Sequence, residues 1–503
     1  MQKAFFNVKG DDIMSMIRVE NLTFSYSSSY DEIFKDVSFT IDSDWKLGFV
    51  GRNGRGKTTF MKLLLGKYEY RGNIISSVEF DYFPFEVADK TQLTEDILWG
   101  ICPLAQEWEF IKELSYLRVD SEVLWRPFDT LSNGEQTKVL LAALFLKPEN
   151  FLLIDEPTNH LDTNARIQIA GYLKRKRGFI LVSHDRYLLD ECVDHILAIN
   201  RSNIDVQSGN FSDWMRNFEK QQQSEQNENE SLKKEIIRMK ESSKQSENWS
   251  NKVEAAKRGA ADKGYVGHKV AKMMKRSKNI EARKEKAIEA KSKLLKNIET
   301  AESLKMQSLA YRKSLLVSYS DVSVSYDGKR VCENISFEVK RGERVLLNGK
   351  NGSGKSSLLK VLLDSDMEYT GEIDIGSNLV ISYVPQDTSF LEGNLKEFAI
   401  KHHLDESLFK TVLRKFDFER IQFEKDMKDF SAGQKKKVLL AKSLCEPAHL
   451  YVWDEPLNYI DVYSRMQIEQ LILEFSPTML IVEHDTVFEE KIGTKRINIS
   501  QRE

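Results

Sequence analysis

The sequence predicts an α/β protein in which one α/β domain occurs twice in tandem, the copies joined by a long α-helical hairpin. Three observations carry this expectation. Four short motifs recur in the same order at nearly constant separation. Inside each copy, short apolar runs of buried-strand type alternate with helical segments. Between the copies the composition changes to Lys, Glu, Gln and Ser with an apolar repeat of seven. At 503 residues, 41% hydrophobic and 30% charged, the chain has the make-up of a soluble globular protein with room for two to four domains.

The repeat comes first. "GRNGRGKTT" (Gly51 to Thr59) returns as "GKNGSGKSS" (Gly349 to Ser357), and "LSNGEQ" (Leu131 to Gln136) as "FSAGQK" (Phe430 to Lys435). "LLIDEPTNHLD" returns as "YVWDEPLNYID", and "VSHD" as "VEHD". The offset is 298 from Lys57 to Lys355, 299 from Asp155 to Asp454 and 300 from His184 to His484. Chance matches do not hold register through four features, so a duplication is inferred. The expected layout is an extension at 1–16, copies at 17–214 and 315–503, and a linker at 215–314. Within a copy, "KLGFVG" reads as a strand and "KTTFMKLLLG" as the helix after it, while "FLLID" and "FILVS" read as buried strands of a mostly parallel sheet.

G-x-x-x-x-G-K-[ST] between a strand and a helix is a phosphate loop. Its glycines let backbone N–H groups turn inward around phosphates, the lysine adds charge, and the helix N-terminus adds its dipole. The expected contacts are Gly51, Asn53, Gly54, Gly56, Lys57, Thr58 and Thr59, and in the second copy Gly349, Asn351, Gly352, Gly354, Lys355, Ser356 and Ser357. Thr58 and Ser356 are expected to ligate Mg²⁺. Asp155 and Asp454, at apolar strand ends, would hold Mg²⁺ mostly through water. Glu156 and Glu455 would polarise the attacking water, and His184 and His484 would face the γ-phosphate. Phosphoryl transfer asks mainly for placed charge and an oriented nucleophile, which these groups supply for ATP. A lone Gly-rich turn, Asp-Glu pair or histidine would more often be structural; two copies in register reverse those odds.

With these motifs the chain resembles the ATP-binding cassette superfamily over both halves. The resemblance implies that Ser132 and Gly134 of "LSNGE" complete the site of the opposite half, as do Ser431 and Gly433. It also implies that Tyr26 and Tyr326 stack on adenine, the alternative being exposed strand tyrosines, and that Asp162 and Asp461 couple the sites. Gln386 in "YVPQ" is where the family reaches Mg²⁺ and water; its counterpart in "YFPF" is Phe85, which cannot ligate a metal. Either the first site hydrolyses more slowly, or Glu86 or water substitutes. The second signature departs at Phe430, Ala432 and Gln434, and both departures fall on one composite site. Unequal turnover is expected.

Residues 219–310 contain no Pro and carry 22 Lys or Arg against 14 Asp or Glu, in a chain whose overall charge is −3. Met273, Ile280, Ala287, Leu294 and Ala301 recur by sevens, widened by Met274, Ile288 and Leu295; Phe218, Leu232, Ile236, Met239, Trp249 and Val253 form a weaker first stripe. An antiparallel hairpin with arms of about 40 residues, on the order of 60 Å long, is expected, turning at Gly259, Gly264 and Gly267. From Lys252 to Lys278 there are nine basic residues and two acids. Lys257, Arg258, Lys263, Tyr265, Val266, His268, Lys269, Lys272, Lys275, Arg276 and Lys278 are the expected RNA-facing set. A plain spacer with a solvated face is the alternative.

Tandem cassettes with such a linker resemble the ABC-F family of ribosome-associated ATPases. "MMKRSK", "EVLWRPFDTLSNGEQTKVLLAALF" and "YVWDEPLNYIDV" are similar to its Lsa/Vga-type antibiotic-resistance branch. The resemblance implies binding at the exit-site region of the bacterial 70S ribosome with ATP, the linker reaching past the peptidyl-site tRNA and 23S rRNA toward the peptidyl-transferase centre. There it would relieve inhibition by lincosamides, pleuromutilins and streptogramin A. The rivals are an ABC-F translation factor without a drug role and a soluble ATPase subunit of a transporter. A DNA-repair ATPase would interrupt one cassette with its coiled coil, and neither cassette is interrupted, so no DNA partner is expected. The scattered cysteines Cys102, Cys192, Cys332 and Cys445 fit a reducing compartment. With no apolar run of membrane length and no signal peptide before Met14 or Met16, alternative starts, the chain is expected to be cytoplasmic and monomeric.

Overall fold

"KLGFVG" is the strand around which the first half is built. In the computed structural model, which describes residues 16–26, 32–148, 150–159, 161–199, 204–257, 304–326, 329–363 and 367–499, it forms β3 (Lys46–Val50). It lies inside a six-stranded sheet of order β5-β6-β7-β3-β8-β9. The neighbours are β5 (Glu79–Phe83), β6 (Asn150–Asp155), β7 (Phe179–Val182), β8 (His195–Ile199) and β9 (Ile204–Ser208). All pair in parallel except β9, which runs antiparallel to β8. The central strands are apolar and buried on both faces, as parallel strands covered by helices must be. A smaller antiparallel sheet, β1 (Met16–Phe24), β2 (Phe34–Asp42) and β4 (Arg71–Ser76), packs on it through a core that includes Ile17, Val19, Phe34, Phe49 and Phe60.

Register explains why the motifs converge. Phe49 and Asp155 both pair with Val182, so the phosphate loop, the Asp155-Glu156 turn and the turn leading to His184 leave the sheet at one level. That level is the carboxyl edge of the parallel strands, where open α/β sheets bind ligands. Helix α1 (Lys57–Leu64) starts there; α2 (Thr94–Ile101), α3 (Glu107–Tyr116) and α4 (Asn133–Leu146) form a helical region, and α5 (Thr163–Leu173) and α6 (Arg186–Cys192) follow β6 and β7.

After the linker helix α7 (Phe211–Lys257) the pattern repeats. β10 (Leu315–Tyr326), β11 (Lys329–Lys340) and β13 (Tyr369–Ile375) make the antiparallel sheet. β14 (Ile381–Val384), β15 (Leu450–Asp454), β16 (Met479–Val482), β12 (Arg344–Asn348) and β17 (Lys495–Asn498) make the parallel one, in that order. Asp454 and Leu347 both pair with Val482, which reproduces the first half's register. The helices are α8 (Lys355–Leu363), α9 (Leu395–Lys401), α10 (Glu406–Lys415), α11 (Ala432–Cys445), α12 (Val462–Phe475) and α13 (Thr486–Ile492).

The described residues up to Trp214 and from Leu304 on share one compact unit, and those from Met215 to Lys257 belong to a second. Most of α7, a continuous helix of 47 residues about 70 Å long at 1.5 Å per residue, belongs to the second unit. Ile236 is buried on it, with Leu232 and Met239 half-buried at helical spacing. The expected turn glycines and the tip residues from Arg258 to Lys278 lie outside the described residues, as does the returning arm. Residues 304–314, placed in the linker by composition, pack on the second half: Leu304 and Met306 join its core, and Tyr451 donates to Gln307 O at 3.0 Å. Among the described residues, no helix is long and apolar enough to cross a membrane.

Candidate active sites

Each phosphate loop wraps its own lysine. Lys57 Nζ donates to Gly51 O at 2.6 Å and Arg52 O at 3.2 Å; Lys355 Nζ donates to Gly349 O and Lys350 O, both at 2.8 Å. Gly56 (φ 97°) and Gly354 (φ 88°) hold the left-handed conformation that starts each helix. At Gly56 a Cβ would lie 2.6 Å from Ile33, so the loop tolerates no side chain there. A Cβ at Gly54 would face open space.

The hydroxyl after each lysine reaches the strand-end carboxylate. Thr58 Oγ1 donates to Asp155 Oδ2 at 2.9 Å, and Ser356 Oγ to Asp454 Oδ1 at 3.1 Å. A hydroxyl and a carboxylate converging beside a phosphate loop are an all-oxygen donor set of the kind Mg²⁺ takes, with phosphates and water completing the shell. Gln386 is exposed beyond β14, and Phe85, at the matching place beyond β5, is 38% exposed. Phe85 has no ligating atom, so the asymmetry read from sequence persists in space. Exposed Glu86 follows it.

Glu156 and Glu455 sit at φ 50° and 45°, a left-handed conformation costing about 1–3 kcal/mol for a residue with a side chain. Their N–H groups hold it by donating to Val182 O and Val482 O, both at 2.9 Å. The strain turns each carboxylate back over the sheet edge, toward the histidine. His184 Nε2 lies 3.4 Å from Glu156 Oε1, and His484 Nε2 lies 3.9 Å from Glu455 Oε1. Glu156 Oε1 and His484 Nε2 are buried without a hydrogen-bond partner among the described residues. One lies in each half's site, and an orphaned buried polar atom there is what a ligand-binding site leaves when only the protein is considered.

Burial dominates the electrostatics. It pushes the Glu156 carboxyl up to about 8, with Asp155 adding to the effect and Arg465 and Lys57 opposing it. Burial lowers the Lys57 and Lys355 ammonium groups. Burial holds His184 well below its ordinary range, helped by Lys57 and Arg465. It holds His484 near about 3, helped by Lys355 and Arg166. Asp454 is pushed up to about 6 by burial. The opposite half supplies part of each field: Asp461 and Lys437 act on Lys57, and Asp162 acts on Lys355.

At the first loop the halves touch. Asn53 Nδ2 donates to Tyr459 O at 2.9 Å while its Oδ1 lies 3.1 Å from His184 Nε2. A Cβ on Gly433 would lie 3.4 Å from Asn53 Nδ2 and 2.6 Å from Tyr459 O. Arg52 pairs with Asp417 and lies 5.4 Å over the Tyr463 ring. Among the described residues, a Cβ on Gly134 would meet Leu161 at 3.7 Å. Ser132 and Ser431 cap α4 and α11 in reciprocal capping boxes with Glu135 and Gln434. Gln434 therefore preserves the local geometry, and Phe430 is buried as Leu131 is.

Tyr26 donates or accepts at Thr59 Oγ1 (2.8 Å) and packs edge-on against Phe24 and Tyr68, so it is half-buried at the loop rather than free on a strand. Tyr326 ends β10, its side chain outside the described residues. Asp162 and Asp461 cap α5 and α12, and Asp461 also takes Lys437 Nζ at 2.8 Å. Tyr82 was missed in the sequence: its hydroxyl donates to Asp155 Oδ2 at 2.9 Å. The repeat of Tyr82 and Tyr383 in "YFPF" and "YVPQ" was the available signal.

The family described as ABC transporter matches residues 34–159 and 332–458. The ribosome protection protein VmlR of Bacillus subtilis is 27% identical over 493 residues, covering 95% of this chain and 85% of its own length. ABC transporter F family member 2 of Arabidopsis thaliana is 25% identical over 547 residues, covering 98% and 78%. A chain in the crystal structure of the archaeal ribosomal stalk protein aP1 with the archaeal ribosome recycling factor aABCE1 superposes with a TM-score of 0.62 at 20% identity, covering 95% of this chain and 87% of that one. That last likeness is one of fold.

Proposed function

We propose that this chain, which belongs to the ABC transporter family, is an ABC-F ATPase that binds the bacterial 70S ribosome with ATP and uses its linker to relieve inhibition by peptidyl-transferase-centre antibiotics. The observation that carries the ATPase reading is the convergence, in both halves, of a phosphate-loop lysine, a strand-end aspartate, a strained glutamate and a buried histidine at one sheet edge. Lys57 and Lys355 would bind the phosphates. Bound Mg²⁺ supplies positive charge to them; Thr58 with Asp155, and Ser356 with Asp454 and Gln386, are the residues that would hold it. Glu156 and Glu455 orient and polarise water, and His184 and His484 stay neutral and hold the γ-phosphate side.

The hydrogen bond of Asn53 to Tyr459 and the approach of Gly433 support completion of the first site by the opposite half, and the repeat extends that reading to two composite sites. The net positive linker and the likeness to VmlR over 95% of this chain support a ribosomal partner. The layout of residues 17–214, 215–314 and 315–503, and a cytoplasmic location, belong to the same proposal.

The Glu156→Gln/Glu455→Gln double variant should cosediment with 70S ribosomes when ATP is present and not without it. Absence of ATP-dependent association sinks the ribosomal reading. In a susceptible host, the intact chain should raise tolerance to lincosamides, pleuromutilins or streptogramin A. Unchanged susceptibility with retained ribosome binding would favour a translation factor.

A further inference from the structure

Around its Asp454-Glu455 turn the second half buries a lysine and a glutamate where the first half has neutral residues. Lys436, in the first turns of α11, is 2% exposed. Its ammonium donates to the backbone carbonyls of Pro385 at 2.8 Å, Asp454 at 3.1 Å and Gln386 at 3.4 Å. Glu483, also 2% exposed, precedes His484 at the end of β16. It accepts from the N–H of His484 at 2.8 Å and from the N–H of Leu457 at 3.1 Å. Lys436 thus ties the Gln386 turn to the end of β15, and Glu483 ties the turn after Glu455 to the histidine turn.

The repeat register puts Thr137 and Ser183 at these positions in the first half, where neither can carry charge. Ser183 spans only its own turn, accepting from the N–H of Asp185 at 3.1 Å. The fold does not need the charges, because the first half builds the same strands in the same register without them. Burying an ammonium or a carboxylate costs several kcal/mol before compensation, so two such groups at one site call for a reason other than packing. Burial draws Lys436 down to about 8, opposed first by Asp454 and then by Glu483. Burial pushes Glu483 up to about 7, opposed by the His484 N–H and by Arg465 and Arg166.

We propose that Lys436 and Glu483 are positioning residues specific to the second ATP site, locking the Gln386, Asp454-Glu455 and His484 turns into one frame before nucleotide binds. Neither side chain needs to touch ATP. They act through the backbone, so the second site is preorganised in a way the first is not. The inference rests on the two-site ATPase reading above.

The test confines hydrolysis to one site at a time. In a Glu156→Gln background, which leaves the second site, Lys436→Thr should lower kcat on the order of tenfold while KM for ATP moves less than about threefold. Glu483→Ser should act in the same direction. In a Glu455→Gln background, Lys436→Thr should leave kcat within about twofold. With both glutamates replaced, affinity for mant-ATP with Mg²⁺ should change less than about threefold, because the preformed frame lowers the barrier to hydrolysis rather than strengthening binding. If Lys436→Thr does not fold, Lys436→Thr/Glu483→Ser carries the test, since it restores the neutral pair used by the first half. Equal losses in both backgrounds, an unchanged second site, or a loss entirely in KM overturns the proposal. Full ATPase activity in the Glu156→Gln/Glu455→Gln protein is a separate outcome, and it would overturn the two-site reading instead.

Discussion

A methyl at Gly433 would press on a backbone carbonyl, Tyr459 O at 2.6 Å, which cannot rotate away. Gly433→Ala should therefore reduce turnover at the first site by on the order of tenfold or more. Steady-state ATPase rates in the two single-glutamate backgrounds check this. His484 gives a prediction in pH. Its folded value near about 3 lies below the unfolded value, because burial and then Lys355 and Arg166 oppose its protonation. The unfolded chain binds a proton that the folded chain refuses, so this stability is complete above the unfolded value near 6.5 and is lost as pH falls from there toward 3. His484→Gln should flatten the urea midpoint against pH in that window, by up to about 1.4 kcal/mol per pH unit.

At the scale of elements, α6 and α12 are joined on one side only. Arg186 pairs with Glu469, both buried, with Asp485 at 3.7 Å from Arg186 and Lys491 at 3.2 Å from Glu469. The repeat places Thr486 and Ala170 at the equivalent positions, where no ion pair can form. The first loop shows the same bias: Arg52 meets Asp417, while their counterparts Lys350 and Arg118 are both cations. Glu469→Ala should cost about 3 kcal/mol, because it strands a buried guanidinium. Arg186→Thr/Glu469→Ala should cost less than the sum of the single changes, by on the order of 2 kcal/mol in a urea double-mutant cycle. A cycle that is additive within error would show that the two side chains do not act as a pair.

At the scale of the molecule, the repeat and both sites' own-half residues were legible from sequence. The reason lies in strand geometry. A phosphate loop, an Asp-Glu turn and a histidine that each follow a buried parallel strand must meet at the sheet's carboxyl edge once the strands pair, and Val182 and Val482 are the residues through which they do. The helical character of residues 215–257 was legible too, because apolar residues recur at helical spacing between charged ones, although the helix begins earlier, at Phe211. Beyond the signature residues that the family resemblance assigned to the opposite half, the residues of one half that approach the other were not legible. Arg52 and Asp417 are 365 residues apart, and Asn53 and Tyr459 are 406 apart. Periodicity and motif spacing describe a residue's own element, and such contacts arise only from how finished surfaces dock. Lys436 and Glu483 belong to the same class. In the sequence they are two among many mismatches between the repeats. The fold alone brings the ammonium to three carbonyls and the carboxylate to two N–H groups around one strand end, because burial leaves each charge no other partner to satisfy it.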